Sequence, residues 1–64
     1  MLDPAFRRLA RETLTARQYD VFSMRAQGIP WRTISMQLGV SHSTARSTFD
    51  RAVQKLAQAS ERVA

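Results

Sequence analysis

The stretch "HSTARSTFDRAVQKL", residues 42–56, carries the side chains with the most chemistry to offer in this sequence. On a helix turning about 100° per residue, Ala45, Phe49, Ala52 and Leu56 fall on one side. Ser43, Ser47, Asp50, Arg51 and Gln54 then face the other way, with Arg46 on the flank. A guanidinium such as that of Arg46 can donate two bonds to guanine O6 and N7, or reach a backbone phosphate. Asp50, one turn further, can hold Arg46 in position, accept from cytosine N4, or form a solvated i,i+4 ion pair. Ser43 and Ser47 are short enough to admit close approach and contact through water. His42 and Ser43, in the first turn, point to base edges or to the nearest phosphate.

A second group surrounds the expected start of a helix after Pro30. Unpaired N–H groups and the positive dipole end there favour an anion, and Trp31, Arg32 and Thr33 sit at that point. Arg17 and Thr44 are further phosphate candidates. Trp31 has a competing reading, a partly buried cover over the core. Arg7, Arg8 and Arg11 read as the wet face of a first helix.

Catalytic chemistry finds little support. His42 is the single histidine, and its neighbours Ser41 and Ser43 diverge from it on a helix instead of forming a nucleophile–base pair. No acids are spaced for acid–base work, no metal-ligand cluster exists, and no glycine loop cradles phosphate. The expectation is a non-enzymatic chain without cofactor or metal.

The charge balance agrees with an anionic partner. Ten basic residues, nine of them Arg, face five acidic ones, for a net charge of +5 and a pI near 11.5. Such a balance points first to nucleic acid, then to acidic proteins or membrane surfaces. No apolar run approaches the roughly 18 residues of a membrane span. Asp3 and Glu12 in "MLDPAFRRLARETL" argue against a transit peptide, so the expected location is cytoplasmic.

Four helices would position these groups. Sixty-four residues bury only about 60% of their unfolded surface, and the absence of cysteine rules out disulfides. A dense helical core must compensate, and 44% apolar residues can build one. Asp3-Pro4 caps a helix over 4–13, with Phe6, Leu9, Ala10 and Thr13 on its apolar face. Thr15 and Gln18 form a capping box for 16–27, with Val21, Phe22 and Met24 inward and Gly28 closing it. Pro30 opens 31–38, with Ile34 and Leu38 one turn apart. Ser41 caps 42–60, whose apolar positions are Ala45, Phe49, Ala52, Val53 and Leu56. The chain is expected to be all-α, one domain over 1–64. A phage or mobile-element regulator and a domain cut from a larger protein are both open readings, and Met1 with the Asp3 cap slightly favours the expectation of a complete small protein.

The break at Gly39-Val40-Ser41 needs a reason, since one longer helix would bury more surface. Ile34, Leu38 and Val40 can meet Ala45 and Phe49 only if the third and fourth helices cross steeply. A short glycine-containing turn at a sharp crossing is a helix-turn-helix, which projects its second helix toward the DNA major groove. Ser35 is small enough to let the two helices approach. An ordinary corner in a small bundle is the alternative.

Residues 14–56, "LTARQYDVFSMRAQGIPWRTISMQLGVSHSTARSTFDRAVQKL", resemble region four of bacterial sigma factors of the extracytoplasmic-function group, and secondarily LuxR-type response-regulator domains. The features are Leu14-Thr15, Arg17-Gln18, Val21-Phe22, Arg25, Gly28, Arg32, Ile34, Leu38-Gly39-Val40-Ser41, Thr44, Arg51-Ala52 and Leu56. An additional helix before Leu14 is similar to the sigma arrangement, whereas LuxR-type domains carry a dimerising helix after the recognition helix. Ala45 and Ser35 depart from the usual Val or Ile and Ala.

The sigma resemblance implies that positions matching Arg46, Ser47, Asp50 and Arg51 lie at the DNA. The function it implies is that of a sequence-specific transcription regulator that binds double-stranded DNA. The resemblance also implies docking on the RNA polymerase β flap as an alternative, while a phage packaging or recombination protein is a third reading. Ala59 and Val63 offer too little area for a stable pair, so a monomer or weak homodimer that pairs on DNA is expected.

Overall fold

The structure, a computed structural model, describes residues 3–63, with side chains through Glu61. Four helices follow one another: α1 Pro4–Thr13, α2 Ala16–Ala26, α3 Trp31–Leu38 and α4 His42–Val63. No strand occurs among the described residues. The architecture is the expected all-α one, and the helix starts fall where local capping chemistry puts them.

Three of the four starts have a side-chain cap. Asp3 Oδ1 accepts from the Ala5 N–H at 3.4 Å ahead of Pro4. The capping box is formed in both directions: Thr15 Oγ1 accepts from the Gln18 N–H at 3.2 Å, and Gln18 Oε1 accepts from the Thr15 N–H at 3.1 Å. Lys55 Nζ donates to the same Gln18 oxygen at 2.9 Å, tying α4 to the start of α2. Ser41 Oγ accepts from the Thr44 N–H at 3.1 Å and donates to Thr44 Oγ1 at 2.9 Å.

The two glycines close α2 and α3. Gly28 has φ 85° and Gly39 φ 67°, a left-handed backbone that an L side chain adopts at a cost. At the first, Ile29 N–H donates to Met24 O and Gly28 N–H to Arg25 O, the paired bonds of a Schellman closure. At the second, both Gly39 and Val40 N–H groups donate to Ser35 O. The chain therefore turns sharply enough for α4 to start three residues later.

Two groups of buried side chains hold the helices. Ala10, Leu14, Ala52 and Leu56 join α1 to the second half of α4, with Phe6, Tyr19 and Phe22 packed against them. Val21, Ile34 and Ala45 join α2, α3 and the first half of α4, covered by Met24, Ile29, Trp31, Leu38, Val40 and Phe49. An aromatic row links the two groups. Phe6 lies 6.1 Å from Phe22, Phe22 stacks on Phe49 at 5.9 Å, and Trp31 meets Phe49 edge-on at 5.4 Å. Ser35 is buried in α3, its hydroxyl donating to Arg32 O at 2.9 Å, so the small residue costs no unpaired polar group.

Three expectations change. Val53 is 42% exposed instead of facing the core, because it lies about 80° around the helix from Ala45 while Ala52 and Leu56 lie within about 20°. The fourth helix runs to Val63, not 60, since 57–63 contains neither Gly nor Pro to stop it. The second ends at Ala26, with Gln27 already a cap residue.

Candidate DNA-binding surface

The α4 face opposite Ala45 and Ala52 is polar and open. His42, Ser43, Thr44, Arg46, Ser47, Asp50 and Arg51 are all exposed, whereas Ala45 and Ala52 are fully buried. Ser43, Thr44, Ser47 and Arg51 line one shallow depression together with half-buried Thr48. Thr48 escaped the sequence reading; its hydroxyl donates back to Thr44 O at 2.8 Å. The signal for it was the i,i+4 Thr–Thr spacing, which ordinary surface helices share.

Arg46 stands apart from that depression. Its guanidinium leans back over the Trp31 ring, 5.7 Å from the centroid. It forms no ion pair with Asp50, so the i,i+4 pairing and the bracing role drawn from it are corrected for the free chain. Two physical reasons favour this outcome. A cation N-terminal to an anion is the weaker order for an i,i+4 pair, and a guanidinium is weakly hydrated and stacks readily on an aromatic face.

The start of α3 is an open helix end. Pro30 precedes it without a side-chain cap, leaving the N–H groups of Trp31, Arg32 and Thr33 without intrahelical partners. Arg32 is exposed and Thr33 half-buried. The Trp31 ring packs on the Val21–Ile34–Ala45 group as a half-buried cover, and neither its backbone N–H nor its indole N–H is taken up by a hydrogen bond, so both remain open to an anion. Arg17 is engaged as well, since its Nη1 donates to Leu38 O at 3.1 Å and so satisfies the end of α3. Thr44 Oγ1 accepts from Ser41, which leaves its own hydroxyl proton free to donate.

Residues 12–64 match the bacterial regulatory proteins of the luxR family. The chain belongs to that family. Of the two resemblances carried by residues 14–56, this is the second. Membership makes the chain a DNA-binding helix-turn-helix domain of a transcription regulator. No curated protein and no solved structure matches it. Nearly all of α1 precedes the matched segment, yet Ala10 of that helix is fully buried against the luxR-type segment's Ala52 and Leu56. Among the described residues, no helix is long and apolar enough to cross a membrane.

Proposed function

We propose that this luxR-family chain folds as one domain and inserts the first half of α4 in the major groove of duplex DNA, reading sequence to regulate transcription. The observation that carries this reading is the division of α4, with Ala45 and Ala52 at 0% exposure behind a fully open polar face. The helix can meet DNA without giving up core packing. Arg46 reads a guanine through two donated bonds, and His42, Ser43, Ser47, Asp50 and Arg51 make the other base-edge contacts. The open end of α3, with Arg32, Thr33 and the Trp31 N–H, anchors a phosphate. Thr44 and the remaining donors of Arg17 hold others.

Substitutions separate the two kinds of contact. Arg46→Ala should lower affinity for a selected site by about 1–3 kcal/mol and relax preference at one base pair. Arg32→Ala should weaken every sequence alike. Binding measured on the selected site and on scrambled duplex decides: equal losses on both for Arg46→Ala would make Arg46 a phosphate anchor.

The same reading takes the chain as a monomer or weak dimer in solution that pairs on a palindromic site, two copies about 34–36 Å apart. Ala52 and Leu56 are already buried in the domain's own core and Ala59 is half-buried; the Val63 side chain lies outside the described residues. Sedimentation at low micromolar concentration should give a monomer that pairs on its site. A dimer peak that holds on dilution would overturn this.

A further inference from the structure

Trp31 is approached by two arginines at once. Arg25 Cζ lies 4.7 Å and Arg46 Cζ 5.7 Å from its ring centroid. We infer that Trp31 is a positioning residue for Arg46, its ring holding the guanidinium ready for a base edge before DNA is met. This rests on the reading of Arg46 as a base contact.

The ring is a fixed platform. It is half-buried at the start of α3 and meets Phe49 edge-on, with ring planes at 77°. Phe49 in turn stacks on Phe22, with planes 14° apart. Arg25 is itself tethered, because its Nη1 donates to Ile29 O at 2.9 Å. Groups from α2, α3 and α4 therefore hold the indole in place.

Arg46 is the free member of the arrangement. It is exposed, and its ring contact uses none of its N–H donors in hydrogen bonds or ion pairs. A cation over an aromatic face is held by the ring quadrupole, while base reading needs the in-plane N–H fork. The two uses are compatible. Restricting a long side chain beforehand also reduces the ordering cost of binding. The division of labour is then clear: Arg25 loads the ring for structure, and Arg46 uses it for recognition.

A double-mutant cycle tests this. Sites selected from random DNA with the unmodified protein provide one duplex, and a second exchanges the base pair that Arg46→Ala ceases to discriminate. Trp31→Leu should reduce discrimination at that base pair about two- to fivefold, the size expected of one cation–aromatic contact, and leave other positions unchanged. In an Arg46→Ala background the same substitution should cost no further discrimination. Trp31→Phe keeps the packing on Phe49 with a weaker face, so it should give a smaller loss that also vanishes without Arg46, and it carries the cycle if Trp31→Leu does not fold. Equal losses in both backgrounds, or weakening at all positions alike, would overturn the inference. If Arg46→Ala leaves discrimination intact everywhere, the base-reading assignment fails first and this inference falls with it.

Discussion

Raising salt from about 50 to 200 mM should weaken duplex binding several hundred-fold, because log K is expected to fall with log salt at a slope near −4 to −5. The expectation comes from the phosphate contacts of the proposed interface. In the proposed interface the phosphate anchors are Arg32, Thr33 and the Trp31 N–H at the open start of α3, with Thr44 and the donors that Arg17 keeps beyond the one it gives Leu38, while the base-contacting Arg46 and Arg51 add positive charge to the same surface. About four to six phosphate contacts result, each releasing close to one counterion. The net charge of +5 adds a favourable long-range term to these contacts. A titration series at fixed temperature measures the slope, and a flat dependence would remove the electrostatic footprint. The slope should flatten by about one when Arg32 is replaced by Ala, since one phosphate contact is lost.

Gly39→Val should cost about 1–3 kcal/mol of stability, the penalty of forcing a β-branched residue into a left-handed conformation. Gly39 has φ 67° and ψ 33°, and it supplies the left-handed turn between α3 and α4. A Cβ placed on Gly39 would have no neighbour within 4 Å, so the cost is backbone strain and not a clash. That distinction is testable within one series. Gly39→Asn should lose least, because Asn tolerates this region, Ala should lose more, and Val most. Total stability for a chain this long is on the order of 3–10 kcal/mol, so Val removes a large share of it. Each kcal/mol corresponds to about 4–8 °C in melting temperature for a domain of this size. Thermal melts of the three variants give the ranking, and a Val variant melting within a couple of degrees of the parent would contradict the turn geometry. Loss of DNA binding should track loss of folding, since Gly39 itself presents no side chain to the groove.

Much of the fold was legible because its signals are local. The Asp3-Pro4 start, the Thr15–Gln18 box, the Ser41 cap and the two left-handed glycines each depend on residues within a few positions of one another. The outward placement of Ser43, Ser47, Asp50 and Arg51 came from helical period alone and holds, because Ala45, Ala52 and Leu56 fill the core. Val53 was misplaced at the edge of the apolar stripe, where periodicity cannot tell a packed flank from an open one.

By itself the sequence determined four helices, their boundaries to within a few residues, the left-handed turn at Gly39 and the polar face of α4. These are properties of short spacings, caps and charge. Tertiary structure alone decided what partners separated residues chose. Arg46 went to Trp31, fifteen positions away, instead of to Asp50 four positions away. Arg17 went to Leu38 O and Lys55 to Gln18, and the four aromatic rings lined up from α1 to α3. The physical reason is that long side chains carry several competing options of similar energy, each worth about 1 kcal/mol or less. Which one wins depends on the ring, carbonyl or carboxylate that packing brings within reach, and that proximity exists only once the helices have docked.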